Sequence, residues 1–458
     1  MTVLAFVMTE MASELALFAA VGFLLFAVDD LLVDLIYFVR RAWRGLTVYN
    51  RFPRTFADRI PGPVRPGWMA VLIPAWDESK VIADMLRSTL ARFGDADYRL
   101  FVGHYRNDPA TALAIASVED DRIIPVLVDR VGPTTKADCL NHLYKAMEEE
   151  EARRGTVAKA AILHDAEDVV HPRELAIFDL LTERAGAVQL PVVPLIDPAA
   201  PWVSGHYADE FAESHGKDLV VREAVRAAVP LAGVGCAIER RALQRLASRH
   251  EGKPFAGASM TEDYEMGLRL GAIGVPTYFV RIPVGPVDRG AVATRGHFPT
   301  TITAAVRQKT RWIGGIAFAG WDRLGWQGRL GERWMRMRDR RGPLAAMLMA
   351  AGYGALLLWL LIAFAHGMGA SAALAPSPLL RTLLTVNLFL LGWRVAMRMG
   401  FTAATYGWRE GVRALPRMLI GNVITILATW RALNLHGEGG PKAWDKTDHI
   451  FPKGLVAS

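Results

Sequence analysis

Cysteine is scarce in this sequence. Its 458 residues include only Cys139 and Cys236, with no Cys-x-x-Cys and no cluster of cysteine with histidine. That excludes a disulfide framework and a structural zinc site, and it suits a reducing compartment for the main domain. Internal repeats and low-complexity tracts are also missing, so neither a solenoid nor a disordered linker protein is expected. Nothing ahead of Leu15 has the basic region or small-residue cleavage site of a secretory leader, and no cleaved signal is expected. No single long basic face is present either. The net charge of +7 lies largely on arginines beside apolar runs. This favours an anionic membrane surface, and no nucleic acid, as partner.

Apolar residues are plentiful, at 52% of the chain, and the mean hydropathy is positive. Residues 15–28 are uncharged and apolar, and Asp29, Asp30 and Asp34 follow before the apolar stretch 35–39. Roughly 14–38 reads as one membrane helix whose acids face protein partners or water. Arg40, Arg41, Arg44, Arg51 and Arg54 come next, which puts the following segment in the cytoplasm. A second uncharged run, 344–365, is about 33 Å long as a helix, enough to span. The uncharged stretch 367–380 suits the outer side, and 379–399 can return. Arg394 and Arg398 within it either snorkel inward or meet the acids of the first helix. Residues 418–430 fit an interfacial or re-entrant helix as well as a span. Both flanks of 40–343 are basic, so that block belongs to the cytosol.

Pro61-Gly-Pro63 and Pro66-Gly67 mark a linker. Short apolar runs at 69–74, 98–103, 123–128, 160–163 and 187–193 then read as strands, with helices at 78–92, 109–118 and 135–152. This alternation predicts an α/β, Rossmann-like, mostly parallel sheet with crossover helices, plus α-helical membrane segments. The expected division is 1–40 membrane helix, 41–68 linker, 69–297 cytoplasmic domain and 298–343 interfacial amphipathic helices. Two membrane helices (344–400) follow, and then 401–458, an interfacial or third C-terminal membrane helix with a cytoplasmic tail.

Several short motifs carry chemistry. Asp165, Glu167 and Asp168 follow the run 160–163, at the carboxyl end of a strand where ligands of open α/β sheets lie. Asp165 and Glu167 can share a hard cation that bridges phosphate oxygens; the competing reading is a solvated acidic turn. Asp77 and Glu78 close the first strand, either as ligand contacts or as acids favoured in a helix's first turn. Lys136, after a Gly-Pro loop, can meet phosphate or simply be solvated. Gly233 and Gly235 either let a bulky ligand approach the backbone or make a bulge. Thr261 can cap a helix whose first residues are Glu262 and Asp263; a carboxylate there can also accept a proton from an attacking hydroxyl. Gln308, Arg311 and Trp312 share one helical side, offering a fork for pyrophosphate and an apolar face for a sugar ring. The same stretch also fits an amphipathic membrane-surface helix with an interfacial tryptophan.

The ordered set Pro74…Asp77-Glu78, Lys136-Ala…Leu140-Asn141, Asp165-Ala-Glu167, Gly233…Gly235, Thr261-Glu-Asp263 and Gln308-Lys-Thr-Arg-Trp312 resembles the membrane-bound family 2 glycosyltransferases. That family has a GT-A fold and includes cellulose, chitin and hyaluronan synthases. The likeness covers roughly 70–320. The texture of 164–172, 107–111 and 444–452 is similar to the glycosyltransferase part of the phage adsorption protein B family.

The resemblance implies an inverting, metal-dependent hexosyltransferase of the bacterial inner membrane, its catalytic domain cytoplasmic. Asp77, Glu78, Asn107, Asp108 and Lys136 would hold the donor, a nucleotide sugar expected to be UDP-linked. Asp165 and Glu167 would bind Mg²⁺ or Mn²⁺. Asp263, with Glu262 beside it, would be the general base. Gly233, Gly235, Gln308, Arg311 and Trp312 would clamp acceptor or diphosphate. A growing polysaccharide is the implied acceptor, passed to an outer-membrane export partner. The alternatives are single-sugar transfer to a lipid carrier, or a non-catalytic envelope assembly or phage-receptor component. Three positions depart from the family pattern: His104-Tyr-Arg-Asn-Asp108 replaces an Asp-Asp-Gly-Ser-type turn, Asp77 stands where Asn is commoner, and the metal motif ends in Glu167. No room is expected for the family's cyclic di-GMP-binding domain beyond Ser458.

Overall fold

The short apolar runs become the centre of one twisted sheet. In a computed structural model, residues 3–257, 259–286, 290–368, 376–437, 446 and 449–452 are described. Much of the expected outer segment 367–380 and of the tail 438–458 lies outside them. The chain begins with α1 (Val3–Thr47). It continues through β1 (Met69–Pro74), α2 (Ile82–Phe93), β2 (Tyr98–Tyr105), α3 (Pro109–Ala116), β3 (Ile123–Val128), α4 (Lys136–Arg154), β4 (Ala160–Leu163) and α5 (Glu174–Leu181). Then come β5 (Ala187–Gln189), β6 (Val192–Leu195), α6 (Val203–Glu213), α7 (Leu219–Ala224), β7 (Cys236–Glu239), α8 (Arg240–Ala247) and α9 (Glu262–Ala272). The third part holds β8 (Thr277–Phe279), β9 (Thr294–His297), α10 (Ile302–Ile313), α11 (Gly320–Leu324) and α12 (Leu330–Arg340). The long helices α13 (Gly342–Gly367), α14 (Pro378–Tyr406) and α15 (Trp408–Gly437) complete it.

The main sheet runs β3-β2-β1-β4-β7-β5-β8. β1 pairs in parallel with β2 and β4, while β7 lies antiparallel to β4 and β5. Every residue of β1 and β4 is buried, as central strands covered on both faces require. Val71, Ile73, Ile162 and Phe178 pack one face, and Leu72, Phe101, Leu143 and Leu243 the other. The mostly parallel sheet with crossover helices expected from the sequence is thus the fold.

Among the boundaries that differ from expectation, two reshape the sheet domain. The run 187–193 is two strands, because Pro191 has no N–H for a ladder. Leu190 N–H turns to the Gly235 carbonyl at 2.9 Å, and the chain passes into a separate two-stranded sheet, β6-β9. The first crossover helix starts at Ile82 instead of 78. Asp77 takes a left-handed φ of 54°, and Glu78 N–H is bonded to Thr111 Oγ1 at 2.9 Å, so the backbone there belongs to a loop.

Four helices, α1, α13, α14 and α15, are long and apolar enough to cross a membrane. α1 has 45 residues against the expected 14–38, and at about 68 Å it outruns a hydrocarbon core of about 30 Å. Its last turns dock on the sheet domain, with Arg40 donating to the Val220 carbonyl at 2.7 Å. The three acids in the second half of α1, Asp29, Asp30 and Asp34, are all paired. Asp29 and Asp30 meet Arg341 at 2.7 and 2.6 Å, Asp30 meets Arg338 at 3.0 Å, and Asp34 meets Lys217 at 2.5 Å. Arg394 lies 3.6 Å from Asp30 and 2.7 Å from Glu213, and Arg398 lies 2.7 Å from Glu213. These arginines meet acids instead of snorkelling.

α15 keeps one side against the sheet domain. Arg417, fully buried, donates to the Pro201 carbonyl at 2.9 Å and lies 3.4 Å from Asp209. Thr310 Oγ1 on α10 donates to the Ala428 carbonyl at 3.3 Å, and His436 stacks on Phe318 at 5.2 Å. Beyond α15 the tail returns to the sheet domain, where Phe451, 4% exposed, joins the core that also holds Ile82 of α2 and Phe178 of α5. Burying a phenylalanine contributes about 1.5–3 kcal/mol, enough to hold a strap in place.

Candidate active site

Loops at the carboxyl ends of β1 and β4 meet the start of α9 and the returning tail. Lys136, at the first turn of α4, stands at the middle. Its Nζ is 2.6 Å from Asp165 Oδ1 and 4.0 Å from Glu262 Oε1, so one ammonium joins the acid loop after β4 to the first turn of α9. Thr135 caps α4 by accepting the Asp138 N–H at 3.1 Å, which fixes where that lysine points. Burial opposes the Lys136 charge, but Asp165, Glu262 and Asp263 together hold it well above the usual lysine value.

Asp263 and Gly233 are in contact. Gly233 has φ 75°, and a Cβ there would sit 2.5 Å from Asp263 Oδ2. A Cβ on Gly235, φ 56°, would meet Thr294 Oγ1 at 2.2 Å. What approaches these glycines is therefore protein: they make room for the α9 acid and for β9, and not directly for a bulky ligand. Burial pushes the Glu262 carboxyl up to about 7 and raises Asp263 as well, with Lys136 opposing in both. The expected Thr261 cap is absent. Its hydroxyl makes no capping bond and is buried without a partner, pressed by Gly315 just beyond α10.

The acids of the β4 loop part company. Asp165 turns to Lys136, whereas Glu167 turns to Glu78 and to the tail. His449 Nδ1 lies 2.8 Å from Glu78 Oε1 and 3.2 Å from Glu167 Oε2, and Lys446 Nζ lies 3.1 Å from Glu78 Oε1. Lys446 also donates to the Asp77 carbonyl, and its own carbonyl accepts from Arg307 of α10 at 3.3 Å. Among the described residues, Glu78, Glu167 and His449 form the group whose ligand atoms, all within 4.8 Å of one another, could hold a cation. Asp165 is not in it, contrary to the expected Asp165–Glu167 pair. Glu167 Oε2 is buried and makes no hydrogen bond, with His449 Nδ1 at 3.2 Å as its ion-pair partner, so a divalent ion would add to a thinly satisfied carboxylate. Two carboxylates and an imidazole suit Mg²⁺ or Mn²⁺ in their oxygens, and Mn²⁺ better with the nitrogen. Burial pushes Glu167 up to about 8, while Glu167 and Glu78, working against burial, bring His449 to about 9.

The other expected contacts brace loops. Asp108 accepts the Asp77 N–H at 2.6 Å and caps α3 through the Thr111 N–H at 3.2 Å. Asn107 exchanges two 2.8 Å bonds with the backbone of Gly132. On α10, Gln308 Oε1 is buried without a partner and Arg311 is half-buried. Trp312 packs among Tyr207, Phe211 and Phe298, its ring 6.0 Å from that of Tyr207, so part of its apolar face is already covered.

Sequence reasoning gave Lys446 and His449 no role. The stretch 444–452 was distinctive as texture, and the only chemical signal was a lysine and a histidine three apart after the last apolar run. Trp444, Asp445, Thr447 and Asp448 lie outside the described residues.

Bacteriophage adsorption protein B of Escherichia coli (strain K12) is 36% identical over 465 residues, 96% of this chain and 62% of that protein. Bacteriophage N4 adsorption protein B of Escherichia coli O157:H7 gives the same figures. The chain thus spans less than two thirds of the length of these relatives. Among solved structures, the mannosyltransferase PcManGT from Pyrobaculum calidifontis, in complex with GDP-Man and Mn²⁺, is 16% identical with a TM-score of 0.48. That match covers 93% of this chain and 99% of that one. Glucosyl-3-phosphoglycerate synthase from Mycobacterium tuberculosis, with Mn²⁺ and UDP-glucose, is 16% identical with a TM-score of 0.33, covering 57% and 80%. The sequence pattern described as glycosyltransferase like family 2 matches residues 66–315, more than half of the chain. The chain belongs to glycosyltransferase family 2.

Proposed function

We propose that this glycosyltransferase moves a sugar, with inversion, from a nucleotide-diphosphate donor to a growing polysaccharide at the cytosolic face of a bacterial inner membrane. One observation carries the reading: Lys136 ties Asp165 to Glu262 while Asp263 fills the space beside Gly233, so the phosphate-side and base-side groups lie together. In the transfer, the acceptor oxygen bonds to the anomeric carbon as the bond to the diphosphate oxygen breaks, and Asp263 takes the hydroxyl proton. A carboxyl raised by burial is a stronger base than an exposed one. Lys136 offsets charge on the departing diphosphate. Glu167, with Glu78 and His449 or with Asp165, would hold a divalent cation, which when bound would offset further charge on that diphosphate.

Parity supports a membrane arrangement. If α1, α13 and α14 cross, α15 starts on the side of the sheet domain, and Phe451 in the domain's core requires it to end there too. α15 then lies along the surface despite its length. The Arg40–Arg54 flank makes that side the cytosol. The decisive experiment is turnover by the detergent-purified chain with a panel of radiolabelled nucleotide sugars and Mg²⁺ or Mn²⁺. Incorporation into polymer is expected. Transfer of one sugar to lipid would replace the polymer reading. No transfer from any donor, by a folded chain, would favour the envelope-component reading that the relatives' name suggests.

A further inference from the structure

Next to the acid loop is a buried histidine that the transfer itself does not use. His164, the first residue after β4, is fully buried. Its Nδ1 lies 3.0 Å from Asp168 Oδ2 and its Nε2 2.6 Å from Glu174 Oε1, on α5. A carboxylate oxygen stands at each ring nitrogen, so the ring bridges the acid loop to α5 through both of its nitrogens. The same Asp168 oxygen accepts the backbone N–H of Asp165 at 3.0 Å, and the Asp168 N–H returns to the Asp165 carbonyl at 3.2 Å. Asp165, Ala166 and Glu167 are therefore looped over a single carboxylate oxygen, whose position is set from below by His164. Glu174 in turn fixes the ring by tying it to α5, an element of the core.

We propose that His164 is a positioning residue: anchored by Glu174, it fixes Asp168 and thereby the Asp165–Glu167 turn in the geometry that receives a divalent cation. The proposal rests on the metal reading above. Groups that orient ligand-bearing elements typically change metal affinity 10–100-fold when removed. General packing would show the same loss however the ring is replaced. A positioning role distinguishes the two ring nitrogens, since an asparagine amide can stand in for Nδ1 and a glutamine amide for Nε2.

The test is Mn²⁺ alone, titrated into the detergent-purified full chain and followed by the electron paramagnetic resonance of free Mn²⁺, with the melting temperature of each variant recorded beside it. His164→Gln keeps a donor for Glu174 and loses the one for Asp168; its Mn²⁺ affinity should fall about 10–100-fold. The double variant His164→Asn with Glu174→Gln keeps the donor for Asp168 and removes the unpaired acid below; it should stay within a few-fold of wild type. Equal losses in both variants, following their melting temperatures, would overturn the positioning role in favour of packing. Wild-type affinity in both would overturn it as well. If the wild-type chain itself takes up no Mn²⁺, the metal reading falls and this proposal with it, an outcome distinct from the other two.

Discussion

Two clusters of acids are balanced differently. Toward the membrane, Asp29, Asp30, Asp34, Glu213 and Asp218 face Lys217, Arg338, Arg341, Arg394 and Arg398, a cation for every acid. At the sheet, Glu78, Asp165, Glu167, Glu262 and Asp263 face Lys136, Lys446 and His449, fewer cations than acids among the described residues. In the first cluster the chain has neutralised its own charge, and the bonds lock α1, α12 and α14 onto the domain. In the second, burial leaves Glu167 pushed up to about 8 and Glu262 to about 7, an imbalance that a metal and a proton can relieve. A compensated cluster reads as architecture, and an under-compensated one reads as chemistry.

The sharpest way to break this comparison is to remove metal. Chelation with EDTA should abolish nucleotide-sugar turnover and leave the membrane-side cluster, and so the melting temperature, nearly unchanged; Mg²⁺ or Mn²⁺ should restore activity. Full activity in EDTA would put the site cluster in the architectural class. Next in size is Asp263→Asn, which keeps the shape beside Gly233 and should lower turnover by about 10²–10⁴-fold with donor binding retained. Near-wild-type transfer by that variant alongside a dead Glu262→Gln would move the base to the neighbouring carboxylate.

The membrane-side cluster should respond in the opposite currency, stability without chemistry. Glu213→Gln leaves Lys217, Arg394 and Arg398 short of one buried partner and should cost about 3–5 kcal/mol, read as a lower melting temperature in detergent. The surviving folded fraction should turn over normally; a loss of turnover with unchanged melting would erase the distinction between the clusters. The smallest expected signal is topological. A cysteine introduced at Lys453 should remain unreactive toward an impermeant reagent in intact cells, against a quiet background since Cys139 and Cys236 are buried. Labelling from outside would mean that α15 crosses.

Much of the sheet could be read ahead of the structure because its central strands are short apolar runs buried whole, as 69–74 and 160–163 are, while 123–128, equally apolar, is an edge strand only partly covered. The exception, 187–193, failed at a proline. The acid loops were equally visible, since paired carboxylates after an apolar run have few uses. Their partners were not. Asp165 and Glu167, two apart in sequence, face different cations. The cap expected of Thr261 gave way to close packing by Gly315, which no local pattern announces.

The sequence by itself determined the layout: apolar periodicity set the strands, and apolar length set the helices long enough to cross a membrane. Those are local properties, decided by what each segment can bury. Only the tertiary structure decided which charges meet. Lys136 reaches Asp165 and Glu262, and His449 reaches Glu78 and Glu167 across 371 and 282 positions of chain. Long-range pairing depends on where Phe451 and the loops are anchored in the folded core, and nothing in a residue's own neighbourhood encodes that.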